Sequence, residues 1–324
     1  MIKIFVHKYD DIISVENLLI AWSHFKVGKT NKKDVQVFER DLMTNILELH
    51  KNLKDRSYKH SDYTHFKIND PKPRDIHKAI VCDRVVHHLL YDFLYPIFNN
   101  TFISDSYSCR LGKGTHKGLH KFRKYILKKS LNKKKQCFVL KCDIKKFFTN
   151  INHNILKEIL EKKIKDDDLL NLLSNIIDSF QVGLPLGNLT SQLLVNIYMN
   201  EFDQYVKHKL KIKYYIRYAD DFVILSEDRD YLESVLEKMS DFLNTKLKLQ
   251  LHPNKVSIQS IYCGVDFLGW IDFSTHRVLR TVTKKRMFRN LKNNDYKEES
   301  LASYVGMLKV GNGYKIGKKI LDFT

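Results

Sequence analysis

The stretch Lys213-Tyr-Tyr-Ile-Arg-Tyr-Ala-Asp-Asp-Phe-Val-Ile-Leu225 decides how the rest of the chain reads. Two apolar and aromatic runs flank Ala219-Asp220-Asp221, a pattern expected of a β-hairpin with acidic residues at its tip. A second short strand with alternating apolar residues, Cys137-Phe-Val-Leu-Lys-Cys-Asp143, also ends on a carboxylate. If the hairpin pairs beside this strand, three carboxylates converge. Like charges so close need raised pKa values or divalent cations. Two Mg²⁺ ions in such a cluster suit in-line phosphoryl transfer: one activates an attacking hydroxyl, the other steadies the leaving phosphate.

Working outward, both ends of the chain read as helical and the middle as mixed. Ser14 is placed to cap a helix carrying Leu18, Leu19, Trp22 and Phe25. Val35, Phe38, Leu42, Ile46, Leu49 and Leu53 recur at three- and four-residue steps, which predicts one amphipathic helix. Residues 62–76 look extended, interrupted by Pro71 and Pro73. Further helices are expected at Asp83–Phe93, at about Asn154–Ile164, from near Ser191 to about His208, and from Leu232 to Leu247. Short strands are expected at Val256–Ile261 and Asp266–Ile271. The Lys128–Lys135 segment reads as a solvated loop. His87 and His88, on an apolar helix, read as structural.

The 324 residues carry 56 Lys/Arg against 37 Asp/Glu, a formal charge of +19, which predicts a polyanionic partner, most simply nucleic acid. Residues 277–324 alone hold 12 Lys/Arg against 4 Asp/Glu. Five cysteines without a CxxC pair argue against a disulfide framework or a structural zinc site, and a reducing cytoplasm is the expected compartment. No signal peptide or membrane span is expected. Gly28-Lys29-Thr30 lacks the rest of a phosphate-binding loop.

Several motifs in order resemble those of reverse transcriptases. Tyr218-Ala-Asp-Asp221 is similar to their catalytic C motif, Asp143-Ile-Lys-Lys-Phe-Phe148 to the A motif, and Gly183-Leu-Pro-Leu-Gly-Asn-Leu-Thr-Ser-Gln192 to the B motif. Pro253-Asn-Lys255 and Gly264-Val-Asp-Phe-Leu-Gly-Trp270 look like motif D and the primer-grip motif E. Within the retron and group II intron-like bacterial superfamily, the chain resembles enzymes of diversity-generating retroelements. The residues that carry this are Leu186-Gly187 and Ser191-Gln192, Pro71-Lys-Pro-Arg-Asp-Ile76, Asp83-Arg-Val-Val-His-His88 and Asp105-Ser-Tyr-Ser-Cys-Arg-Leu-Gly-Lys-Gly-Thr-His116. Ala219, where Met is common, and Lys78-Ala-Ile-Val81 depart from that subtype.

The resemblance implies an α+β right-hand polymerase: fingers, a palm with an antiparallel sheet, and a short helical thumb. The expected division is an N-terminal helical extension at 1–60, fingers at 61–136, palm at 137–272 with part of the fingers inserted, and thumb at 273–324. Asp143, Asp220 and Asp221 would be catalytic and would ligate two Mg²⁺ ions, or Mn²⁺, with the Ile144 carbonyl. Nucleotide-binding roles fall to Lys72 and Arg74 in a fingertip hairpin, to Arg110, and to Phe148 as a ribose gate that excludes a 2′-hydroxyl. Leu186 and Gly187 would shape the nucleotide site, and Lys255 would contact a phosphate or protonate pyrophosphate. Phe267, Leu268 and Gly269 would form the primer grip. A Leu at position 186 offers shape where a Gln would offer hydrogen bonds, which implies low fidelity.

The expected reaction is RNA-templated extension of a 3′-hydroxyl with dNTPs, in error-prone copying for a diversity-generating retroelement. Expected partners are the template RNA, the RNA/cDNA duplex, a structured noncoding RNA and a small basic accessory protein, with no membrane. No nuclease, integrase or RNase H domain is expected. The alternatives are an antiphage defence enzyme making cDNA from a dedicated noncoding RNA, and a non-catalytic RNA-binding splicing scaffold.

Overall fold

The hydroxyl of Ser14 accepts a hydrogen bond from the Asn17 amide and starts the first long helix of the chain, as its sequence predicts. The computed structural model describes residues 7–70, 73–294 and 296–321. Helices α1 (Tyr9–Ile12), α2 (Val15–Lys26), α3 (Lys33–Arg40) and α4 (Leu42–Lys54) precede a hairpin of β1 (Thr64–Ile68) and β2 (Arg74–Lys78). Then come α5 (Val81–Asn99), α6 (Thr115–Lys129), β3 (Phe138–Asp143), α7 (His153–Glu161), α8 (Asp167–Asp178) and α9 (Leu189–Gln204). The order continues with β4 (Tyr215–Tyr218), β5 (Asp221–Ser226), α10 (Arg229–Lys246), β6 (Ser257–Ser260), β7 (Val265–Phe267), β8 (Trp270–Asp272) and β9 (Arg277–Leu279). Helices α11 (Thr281–Asn293), α12 (Glu298–Leu308) and α13 (Tyr314–Leu321) follow. Among the described residues, no helix is long and apolar enough to cross a membrane.

The chain forms two compact units, each built from separate stretches. The first takes the described residues up to Phe102, Lys146–Asp203 and Thr245–Leu249. Here α2 packs on α5, burying Leu18, Trp22 and Phe25 with Val85, Val86 and Leu89. The single amphipathic helix expected across residues 35–53 is two: the chain breaks at Asp41, whose φ of −113° and ψ of 35° leave the helical region. Helix α8 is an element the sequence reading passed over. Its N-cap Asp166 accepts from the Leu169 amide at 2.9 Å and from the Tyr9 amide at 2.9 Å. His87 is fully buried, bonded to Thr190 Oγ1 at 2.7 Å, and burial pushes its pKa down to about 3, so it stays neutral.

The second unit takes Ile103–Lys145, Gln204–Asn244 and the described residues from Gln250 onward. Its main sheet is antiparallel, in the order β4-β5-β3-β6, with α6 against β4 and β5. Val139, Ile216, Val223 and Leu225 of the sheet share one core with Phe122 and Ile126 of α6 and with Phe267, Trp270, Met287 and Leu291. A smaller antiparallel sheet, β7-β8-β9, replaces the single strand expected at Asp266–Ile271. Leu268 and Gly269 both adopt positive φ, 51° and 85°, and fold that stretch into a tight hairpin.

One ion pair ties the smaller sheet to α6. Arg277 Nε donates to both carboxylate oxygens of Asp272 at 2.9 Å, and its Nη2 donates to the Leu119 carbonyl at 2.7 Å. Asp272 is completely buried, and burial raises its pKa even against the guanidinium. Removing the cation strands a charge in the core. Arg277→Met is expected to cost about 3–5 kcal/mol, measured by urea unfolding at neutral pH.

Candidate active site

The acids come together because of strand register. Asp143 is the last residue of β3, Asp221 is the first of β5, and the two are direct partners across the antiparallel pair. Directly opposite residues have Cα atoms roughly 4.5–5.5 Å apart and side chains on the same face. Tyr218 pairs with Asp221 across the β4–β5 hairpin, leaving Ala219 and Asp220 as its two-residue turn. Ala219 has a φ of +55°, a conformation disfavoured for a residue with a Cβ. Its surroundings hold it there. The fully buried Arg217 donates from Nη1 to the Ala219 carbonyl at 3.1 Å and from Nη2 to Ser106 Oγ at 3.2 Å. The Ile144 amide donates to the Asp220 carbonyl at 3.2 Å, and Thr115 Oγ1 donates to the Tyr218 hydroxyl at 3.1 Å.

Each facing acid has its own cation. Lys255 Nζ donates to Asp143 Oδ1 at 2.9 Å. The lysine stands on a short 3₁₀ turn, Pro253–Lys255, joined to the end of β3 by the His252 amide donating to the Asp143 carbonyl at 2.7 Å. Asp221 is less well served. Its Oδ1 is buried without a hydrogen bond, and Lys141 Nζ, at 3.9 Å, is too far to make one. Burial pushes the Asp221 carboxyl up to about 6; Lys141 opposes the shift, and Asp143, Asp220 and Asp266 add to it.

This donor set suits a hard divalent cation: clustered carboxylates, one with an orphaned buried oxygen. Among the described residues, no group of three or more His, Cys, Asp or Glu side chains stands as a ready-made metal cage.

Three nucleotide-binding candidates of the first unit meet at a cavity of about 670 Å³. Arg74, Phe148 and Leu186 line it, together with His77, Phe180 and Val182. Phe147 is the core residue of its pair, 3% exposed, whereas Phe148 is half-buried with its edge against Phe147 and open to the cavity. The Leu184 amide donates to the Phe148 carbonyl at 2.8 Å, and the His77 amide to the Leu186 carbonyl at 2.9 Å, so the 183–187 loop is fastened on both sides. Two glycines permit this. A Cβ on Gly183, at φ +70°, would run into the Phe148 and Thr149 carbonyls. One on Gly187, at φ +125°, would lie 3.1 Å from the His77 carbonyl oxygen.

The other candidates lie elsewhere. Lys72 lies outside the described residues. Arg110 donates from Nη1 to the Ile103 and Ser106 carbonyls at 2.6 and 3.0 Å, closing its own loop. Phe267 is wholly buried against Phe122, while Leu268 and Gly269 make the β7–β8 turn. The sequence reading missed Arg217, Lys141, His77 and Phe180. A charged residue inside the apolar run Tyr-Ile-Arg-Tyr, and another within β3, were the available signals for the first two. His77 shares a face of β2 with Asp75, two residues before it.

The strained carboxylate makes stability depend on pH. Asp221 keeps its proton up to about pH 6 when folded but loses it near its ordinary 3.8 when unfolded. Its contribution therefore declines as pH rises from about 4 to 6, and the penalty persists above. Asp221→Asn is expected to be more stable than the wild type by roughly 2 kcal/mol at pH 8 in metal-free buffer. The difference should vanish toward pH 4, as read by thermal melts.

Known proteins are similar to this chain in sequence and fold. A family profile described as "Reverse transcriptase (RNA-dependent DNA polymerase)" matches residues 68–272. Protein YkfC of Escherichia coli (strain K12) is 25% identical over 240 residues, which cover 61% of this chain and 61% of YkfC. The group II intron-encoded protein LtrA of Lactococcus lactis subsp. cremoris is 23% identical over 292 residues, 68% of this chain and 47% of LtrA. The chain thus spans about half to three-fifths of these curated relatives. A solved structure of telomerase from Candida albicans, in complex with a TWJ fragment of telomeric RNA, superposes with a TM-score of 0.54 at 11% identity. That match covers 83% of this chain and 57% of the telomerase chain, and at such low identity it speaks for the fold alone. The mixed helix and strand architecture with antiparallel sheets is that of a right-hand polymerase, as the sequence led us to expect. The profile covers more than half of the chain, and the protein belongs to the reverse transcriptase (RNA-dependent DNA polymerase) family.

Proposed function

We propose that this chain extends a 3′-hydroxyl with dNTPs on an RNA template. The observation that carries this reading is the Asp143–Asp221 pairing beside the Asp220 turn, with Lys255 bonded to Asp143. In this reading residues 61–136 serve as fingers, 137–272 as palm and 273–324 as thumb, after an N-terminal helical extension at 1–60. Asp143, Asp220 and Asp221, with the Ile144 carbonyl, would hold two Mg²⁺ ions, or Mn²⁺. Bound there, the ions would supply activation of the attacking hydroxyl and charge neutralisation at the leaving phosphate.

The chain's own residues supply the rest. Arg217 and the Ile144 amide fix the Asp220 turn in place before any ligand arrives. Lys255 puts an ammonium group beside the acids, where it can contact a phosphate or give a proton to departing pyrophosphate. Arg74 offers a guanidinium for the triphosphate. Phe148 opens onto the cavity as a ring that would meet a ribose 2′-hydroxyl. Leu186 lines the same cavity with hydrocarbon only, which supports error-prone copying of the kind diversity-generating retroelements use. A structured noncoding RNA and a small basic accessory protein fit that setting.

Primer extension on a mixed-sequence RNA template with Mg²⁺ and four dNTPs tests the activity. Asp220→Asn should lower the rate by on the order of 10³-fold, about 4 kcal/mol. Extension by the variant at the wild-type rate would remove the polymerase reading. Sequencing the products tests the cavity: Leu186→Gln should lower the error frequency. An unchanged error spectrum would sink the fidelity argument while leaving the polymerase intact.

A further inference from the structure

The segment after α6 is the exposed loop its sequence predicts, and its backbone is held in one defined shape, a knob. Leu131, Asn132 and Lys133 all have positive φ, 45°, 53° and 75°. Three consecutive residues with a Cβ in this region are rare, because each crowds its own carbonyl. Such a conformation persists only where the surroundings over-determine it, and an observed outlier of this kind points toward function. The surroundings here are explicit. Buried Ser130 accepts the Lys133 amide on its Oγ at 3.0 Å and the Lys135 amide on its carbonyl at 2.9 Å. The Asn132 amide donates to the Leu127 carbonyl at 2.8 Å. The Tyr262 hydroxyl, from beyond β6, donates to the Lys133 carbonyl at 3.3 Å.

The knob displays charge. Lys133, Lys134 and Lys135 are exposed, and Lys124 and Lys128, four residues apart on one face of α6, continue the same basic surface. Glu227 serves Lys135 and Lys129. Among the described residues, Lys128, Lys133 and Lys134 have no acidic partner. The Tyr262 ring, 48% exposed, lies beside them. This surface stands at the Phe138 end of β3, and the acids stand at the Asp143 end, about 17 Å away at the rise of a strand. It is therefore a site separate from the chemistry.

We propose that this knob binds the phosphate backbone of a base-paired segment of the template RNA, outside the stretch being copied. Lysines presented from a fixed backbone fit a polyanion of regular spacing, and the exposed tyrosine suits stacking on an unpaired base at the end of a stem. The inference rests on the RNA-templated reading above and adds a second RNA contact to it.

The test uses the full chain and a fluorescently labelled RNA hairpin, titrated across a salt series. The triple variant Lys128→Gln/Lys133→Gln/Lys134→Gln should bind at least ~10-fold more weakly near 0.1 M salt, with a salt slope smaller by about 2–3, since each phosphate contact adds about 0.9. Its primer extension on a short unstructured template should match the wild type. A control with the same charge change elsewhere, Lys51→Gln/Lys54→Gln/Lys59→Gln, should retain hairpin affinity. Unchanged hairpin binding by the first variant, or an equal loss in the control, overturns the site. Tighter wild-type binding of a DNA hairpin of the same sequence, or of polyglutamate, overturns the assignment to RNA. Asp220→Asn keeps the knob, so hairpin binding reads independently of whether the polymerase reading survives.

Discussion

Carboxylates that face each other across a strand pair repel, and the second unit is organised around keeping two of them there. The β3–β5 register brings Asp143 opposite Asp221. A one-residue slip would send one of them to the other face of the sheet. The register is pinned from several directions: Phe138 to Asp143 pair with Ser226 to Asp221 along the whole of β3, and β6 holds the other edge. The turn that follows is held by Arg217, a guanidinium with no access to water. The cost of the arrangement is visible in Asp221, whose proton affinity is raised chiefly by burial.

Lysines relieve part of that repulsion. Lys255 makes a full hydrogen bond to Asp143, and Lys141 approaches Asp221 without reaching it. A fully neutralised cluster would have little affinity for an added cation. A bare one would destabilise the sheet. This unit lies between those limits, with one acid satisfied and one not. In the first unit, backbone groups fasten the 183–187 loop: the Phe148 carbonyl accepts from Leu184, the His77 amide donates to Leu186, and the loop glycines allow the close approach.

The hairpin, the three acids and most helices were legible in the sequence because they depend on local periodicity and on motif residues close together in the chain. Other features were not. The break at Asp41 falls inside an unbroken apolar period, since residues on both sides still face one core. The β7–β8 hairpin hides in the eight residues Val265–Asp272 because Leu268 takes the left-handed conformation beside Gly269. Arg110 reads as a phosphate contact from its Gly-rich context, and the chain gives no sign of its bonds to the carbonyls four and seven residues back. Arg217 escaped notice because a buried arginine is identified by its partners, and Ser106 lies 111 residues away.

The interleaving of the two units has a consequence for how the chain is made. The first unit needs residues 245–249, and the second needs strands on both sides of that stretch. During synthesis, neither can close until about residue 250 has left the ribosome, although α1 to α5 emerge long before. At roughly 5–20 residues per second, the early helices, packed on one another, would wait some ten seconds or more for the rest of their unit. A chaperone or the bound RNA would find its substrate in that interval, and a stalled ribosome in the α7–β4 region would release a product with neither unit complete.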